Sequence, residues 1–265
     1  MIYKKIPLDT SDKNAYLECY IADPVGDFIR DALLVIPGGG YASVCSDREG
    51  EPIALAFMPH GFNSFVLHYS VGKKPFPIQL VQASKAMLHI KENAKEYNID
   101  PERVFAVGFS AGGHLAASLG TMWDNAEIYK EAHMPYGINR PKGMMLIYPV
   151  ISAIYETESF VNLWQACPTE EMKAKVSIEN QVSDKTCPAF IMHTVNDQRV
   201  DVRHSLVMMD ALATHGISFE AHIYPDAPHG VALGNRITKC GVDKWENPAI
   251  AKWVEQAAYW AKNSV

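Results

Sequence analysis

The chain reads as an α/β protein in which a mainly parallel, twisted sheet carries helices on both faces, and three observations give that class. Short apolar runs rich in Val, Ile, Leu and Phe alternate with longer amphipathic stretches through most of the sequence. The 265 residues are 48% hydrophobic, which suffices to bury a large core. No composition break or Pro/Gly/Ser-rich linker divides the chain, so one domain over residues 1–265 is expected.

The elements follow in order. Residues 3–8 and 16–21 read as an antiparallel hairpin at the sheet edge, and residues 32–36, 64–69, 103–107, 143–148, 189–195 and 219–224 as buried strands. Helical spacing is carried by residues 51–58, 78–97, 110–121, 202–215 and 248–261. Asn98-Ile99-Asp100-Pro101 stops the second of these helices. Strands alternating with helices imply right-handed βαβ units. Residues 151–186 break the rhythm, and so long an irregular segment is expected to be an insertion that acts as a lid or pocket wall.

Composition narrows the function. A net charge of −6 excludes the basic surface that nucleic acid requires. The N-terminus lacks an apolar export segment and no run is long and apolar enough for a membrane span, so neither a membrane nor an export route is expected. Five cysteines without a Cys-x-x-Cys pair predict reduced thiols, a cytoplasmic location and no metal site built from cysteine.

The chemistry starts at Gly108-Phe109-Ser110-Ala111-Gly112-Gly113-His114, where an apolar run meets a helical pattern. Gly-x-Ser-x-Gly is common in ordinary loops, but between a strand and a helix it forms a sharp turn that lifts the serine hydroxyl above the sheet. Serine is a poor nucleophile at neutral pH, so Ser110 needs a base and a group to orient that base. Asp197 and His229 each follow a predicted strand, at the edge where open α/β sheets build their sites. An aspartate there more often caps a helix, a role better filled by Asp201, and Asp226 lies too near His229 in sequence to be its preferred partner. His193 falls inside a strand, His204 and His215 on a helix, and His114 is expected to pack beneath the site.

Pro37-Gly38-Gly39-Gly40-Tyr41 follows the strand at residues 32–36. A triple glycine alone is usually a flexible turn. Paired with the elbow, its backbone amides and that of Ala111 form an expected oxyanion hole. Tyr41, Trp123 and Trp164 are candidate pocket walls, since aromatic faces suit sugar rings, although such residues more often simply pack.

Pro37 to Tyr41, Gly108 to His114, Asp197 with Val200, and Pro228-His229-Gly230 together resemble the α/β-hydrolase superfamily, in its hormone-sensitive-lipase-like esterase branch. Within it the nearest likeness is to bacterial acetylxylan-esterase-like carbohydrate esterases. Pro37 replaces the usual histidine before the glycines, and Phe109 stands where lipase-like members usually carry aspartate, which shifts the resemblance toward the sugar-esterase side. It implies a Ser110, Asp197, His229 triad with Gly39, Gly40 and Ala111 as oxyanion donors and without cofactor, acting on short-chain esters, notably acetylated sugars. A prolyl-oligopeptidase-type serine peptidase, an arylformamidase and a non-catalytic binding protein of the same fold stand as alternatives. Oligomeric state is left open, a homo-oligomer included.

Overall fold

The computed structural model describes residues 1–9, 11–72, 74–164 and 167–265. Among them are eight strands: β1 (Ile2–Pro7), β2 (Tyr16–Ile21), β3 (Arg30–Ile36), β4 (Phe62–His68), β5 (Ile99–Phe109), β6 (Met144–Ile147), β7 (Ala189–Thr194) and β8 (Phe219–Tyr224). They form one sheet in the order β1-β2-β4-β3-β5-β6-β7-β8. β2 pairs antiparallel with β1 and β4, and every pairing from β4 to β8 is parallel.

The helices are α1 (Ser46–Glu49), α2 (Glu51–Phe57), α3 (Ile78–Glu92), α4 (Ala111–Thr121), α5 (Ala126–Ala132), α6 (Glu158–Trp164), α7 (Glu170–Val176), α8 (Arg203–Thr214) and α9 (Trp253–Asn263). The two-residue period of the strands divides the core into two layers. Ala32, Leu34 and Ile36 of β3 share one core layer with Leu80 and Met87 of α3, Leu115 and Leu119 of α4, and Met208 of α8. Leu33 and Val35 face the other way, toward Ile53 and Phe57 of α2 and Trp253 and Trp260 of α9. Helices thus cover both faces, as the near-continuous apolar strands require. Among the described residues no helix is long and apolar enough to cross a membrane.

Where the structure departs from the sequence pattern, local hydrogen bonding is the reason. The pattern over residues 78–97 continues past the helix, but α3 stops at Glu92 because Asn93 turns its side chain and amide back to the His89 carbonyl. Tyr97 still packs, on Phe65, from a following turn. α9 starts at Trp253 rather than 248, because Asn247 caps a separate turn by accepting the amides of Ala249 and Ile250. The segment expected to be irregular holds α6 and α7, and Thr169 caps α7 by accepting the Met172 amide at 3.2 Å. α1, α5, α6 and α7 span only four to seven residues and left no readable period, although α2, seven residues long, did.

Two histidines sit in the core unpaired with carboxylates. His114 is fully buried; its Nε2 donates to the Val176 carbonyl and its Nδ1 accepts from the Tyr41 hydroxyl, both at 2.7 Å. The Nδ1 of His204 accepts the amides of Ile151 and Ser152 at 3.0 and 3.1 Å. Burial pushes the His114 pKa from 6.5 down to about 4 and that of His204 down to about 3.

Two outcomes follow for stability. A Cβ on Gly108 would overlap the Gly112 carbonyl where β5 meets α4, so Gly108→Ala is expected to lower unfolding free energy by about 1–3 kcal/mol in urea titration. The unfolded chain takes up a proton at the ordinary histidine value and folded His114 only near pH 4, so stability falls as pH drops through that window. His114→Gln, which cannot titrate, should reduce the stability loss between pH 7 and pH 4.5 by about 2 kcal/mol; an unchanged loss in urea titrations at the two pH values would refute this assignment.

Candidate active site

Ser110 follows the last residue of β5 and precedes the first residue of α4, with φ 54° and ψ −118°, a conformation that a residue with a side chain holds only under constraint. The constraint is visible. The Ser110 amide donates to the Ile147 carbonyl at 3.1 Å, and its carbonyl accepts the amides of Val150 and His114 at 3.0 and 3.1 Å. Gly108 and Gly112 meet backbone to backbone, and Gly112 also rests on the carbonyls of Ile36 and Pro37.

Asp197 lies on the loop after β7 and His229 on the loop after β8. Thr194 donates to the Ala227 carbonyl at 2.8 Å and Asn196 accepts the Ala227 amide at 3.0 Å, which ties the two loops together. His229 Nε2 stands 2.8 Å from Ser110 Oγ, and its Nδ1 stands 2.6 Å from Asp197 Oδ2. The structure therefore joins Ser110, His229 and Asp197 in one hydrogen-bonded run. Asp197 Oδ1 accepts the amides of Arg199 and Val200 at 2.9 and 3.0 Å. Burial alone would raise the Asp197 pKa, but hydrogen bonds from His193 and His229, the charge of His229 and the Val200 amide outweigh it and hold the carboxyl well below the usual range.

The N-cap of α8 is Val202, which makes no side-chain cap, so Asp201, expected to be the cap, stands one residue before that position. Asp201 accepts the Arg203 amide at the start of α8, and Asp226 accepts from Asn196. His193 braces the Asp197 loop from inside β7: its Nε2 donates to the Val200 carbonyl at 2.9 Å and lies 3.5 Å from Asp197 Oδ2, while its Nδ1 accepts from Ser205.

The loop after β3 turns at Gly39 (φ 124°) and Gly40 (φ 63°). A Cβ on Gly39 would overlap the Ser43 carbonyl, so only glycine fits that close turn. Among the described residues the amides of Gly39, Gly40 and Ala111 have no protein acceptor, and Gly39 and Gly40 border the same cleft as Ser110 and His229. Asn162 of α6 donates to the Gly40 carbonyl at 2.8 Å.

That cleft has a volume of about 590 Å³, and its far wall is Glu156, Thr157, Glu158, Ser159 and Asn162, facing Gln198 and Arg199. No Phe, Tyr or Trp is among the described residues that line it. The expectation that Tyr41 and Trp164 form pocket walls is corrected accordingly. Tyr41 is 2% exposed and spends its hydroxyl on His114, and Trp164 stacks on Phe160 with ring centroids 5.3 Å apart. Trp123 is buried too, donating to the Lys185 carbonyl. Sequence reasoning missed Arg48, Glu49, Tyr148 and Asn162, which carry no motif and reach the site only through the fold.

Comparison with known proteins agrees with this architecture. The chain is 37% identical over 219 residues to endo-1,4-beta-xylanase B of Butyrivibrio fibrisolvens, an alignment covering 79% of the chain and 34% of that protein. It is 28% identical to an acetylxylan esterase of Xylanibacter ruminicola, over 87% of the chain and 47% of the relative. The chain thus spans a third to a half of the length of these curated relatives. An acetyl ester-xyloside bifunctional hydrolase from Caldicellulosiruptor lactoaceticus superposes with a TM-score of 0.85 at 32% identity, covering 98% of this chain and 96% of that one. The family model BD-FAE matches residues 27–212. By this match, together with the sheet order and the strand-turn-helix elbow, the chain belongs to the BD-FAE family and has the α/β-hydrolase fold.

Proposed function

We propose that the chain is a carboxylic ester hydrolase that removes short acyl groups, acetyl foremost, from carbohydrate alcohols. The observation that carries this reading is the hydrogen-bonded run from Ser110 Oγ through His229 to Asp197. In it, His229 takes the Ser110 proton as Oγ attacks the ester carbonyl. Asp197 holds Nδ1–H, fixes the tautomer and stabilises the imidazolium. The amides of Gly39, Gly40 and Ala111 receive the oxyanion, each such donor contributing roughly 2.7–4 kcal/mol to the barrier reduction. The imidazolium then protonates the leaving alcohol, and water repeats the cycle on the acyl-enzyme.

The polar cleft supports a hydrophilic alcohol. Glu156, Glu158, Asn162 and Arg199 offer donors and acceptors that suit sugar hydroxyls, so recognition runs through hydrogen bonds rather than ring stacking. The segment over residues 151–186 supplies that wall and acts as a lid within a single hydrolase domain; residues 165 and 166 lie outside the described part. Relatives named as xylanase and acetylxylan esterase favour the same substrate class. The cytoplasm is the compartment proposed, in keeping with five free thiols.

Ser110→Ala is expected to cut kcat on p-nitrophenyl acetate by at least about 10⁴-fold, and Asp197→Asn by about 10⁴-fold, with folding intact by circular dichroism. Full turnover by Ser110→Ala would end the hypothesis. On a panel varied separately in acyl chain and alcohol, acetyl esters of xylose should exceed butyryl and octanoyl esters in kcat/KM. A preference for long chains overturns the acetyl assignment, and faster cleavage of aminoacyl anilides or of N-formylkynurenine selects the peptidase or the arylformamidase instead.

A further inference from the structure

The proposed chemistry uses neither of the buried glutamates Glu18 and Glu49, and of the two it is Glu49 that borders the cleft with Ser110 and His229. Glu49, in α1, is 1% exposed. Its Oε2 accepts the Gly38 amide and its Oε1 accepts the Tyr148 hydroxyl, each at 2.9 Å. The nearest cation, Arg48 Nη2, is 3.8 Å away. A carboxylate buried with only these partners needs a reason, because an apolar residue would cost less to bury.

The reason lies in what its two arms hold. Gly38 begins the oxyanion loop and lies so close to the elbow that a Cβ there would come 2.7 Å from the Phe109 carbonyl and 3.0 Å from Ser110 Cβ. Tyr148, at φ 38°, accepts the Ala232 amide at 3.1 Å and sets its ring edge-to-face against His229, centroids 4.9 Å apart. The adjacent Arg48 donates to the Gly230 carbonyl at 2.6 Å and lies over Trp245, whose Nε1 donates to the His229 carbonyl at 2.9 Å. One short helix therefore grips both the loop bearing the oxyanion amides and the loop bearing the base.

We propose that Glu49 is a positioning residue, a strut with an acceptor at each end that fixes the oxyanion loop relative to His229. It rests on the ester-hydrolase reading above. Only a carboxylate satisfies both arms, since glutamine would turn an N–H toward either the Gly38 N–H or the Tyr148 hydroxyl, whose oxygen already accepts from Ala232. The strut acts on transition-state geometry and leaves ground-state binding to the cleft wall.

The test compares wild type, Glu49→Gln and Tyr148→Phe, counting competent sites with a fluorophosphonate. Kinetics on p-nitrophenyl acetate are set beside affinity for a trifluoromethyl ketone, which forms an oxyanion on the serine. Glu49→Gln should lose about 10- to 100-fold in kcat per titrated site, with KM within about threefold, and its ketone affinity should fall by the same factor as kcat. A merely structural role would lower the number of titrated sites and leave kcat per site and ketone affinity unmoved, which overturns the proposal. Should Glu49→Gln fail to fold, Tyr148→Phe decides: a loss of at least about fivefold in kcat at constant KM supports the strut, and parity with wild type refutes it. A wild-type protein that neither hydrolyses the ester nor titrates at Ser110 overturns the hydrolase reading itself, and this one with it; an active wild type matched by Glu49→Gln overturns the strut alone.

Discussion

The whole site depends on the backbone contact between Gly108 and Gly112, where the central strand β5 turns into α4. Because neither residue carries a Cβ, strand and helix approach closely enough to force Ser110 into its positive-φ conformation. That conformation is costly for serine. It persists because β6 and the segment after it hold the Ser110 amide and carbonyl through Ile147 and Val150. The hydroxyl is thereby held at the sheet edge by elements that cannot relax independently.

Around this fixed point the surrounding groups divide into supports and surfaces. His114 and His204 are spent on backbone and tyrosine partners, and burial keeps them neutral. Asp197 differs because three hydrogen bonds, from the amides of Arg199 and Val200 and from the His229 ring, converge on its buried carboxylate, with the His193 ring 3.5 Å away. Convergent donors stabilise the charged form more than burial disfavours it. A permanently ionised group beside the His229 ring is the electrostatic arrangement that a general base needs.

The cleft corrects an intuition about sugar sites. Aromatic residues near the elbow invite a stacking model, yet Tyr41, Trp123 and Trp164 are all committed to packing or to internal hydrogen bonds. The polar groups that line the cleft are carboxylates, hydroxyls, the side-chain amides of Asn162 and Gln198 and the guanidinium groups of Arg48 and Arg199. Asn162 joins the cleft wall to the glycine loop after β3 through the Gly40 carbonyl, so the segment that shapes the cleft also steadies the loop proposed to receive the oxyanion.

The sequence alone determined the α/β class, the positions of the main strands and long helices, and the residues Ser110, Asp197 and His229. Each was legible because a local rule governs it: two-residue and 3.6-residue periodicity for the elements, glycine spacing for the elbow, and placement at strand ends for the acid and the base. The pairing order of the strands was not legible, since every buried strand presents the same apolar run to its neighbours. α6 and α7, seven residues each, left no readable period within the irregular segment that holds them. Glu49, Arg48, Tyr148 and Asn162 carry no sequence signal, because their partners lie far away in the chain, Tyr148 99 residues from Glu49, Gly230 182 from Arg48 and Gly40 122 from Asn162. Tertiary structure decided those contacts, and with them which aromatic rings were packed away and which polar groups were left facing the cleft.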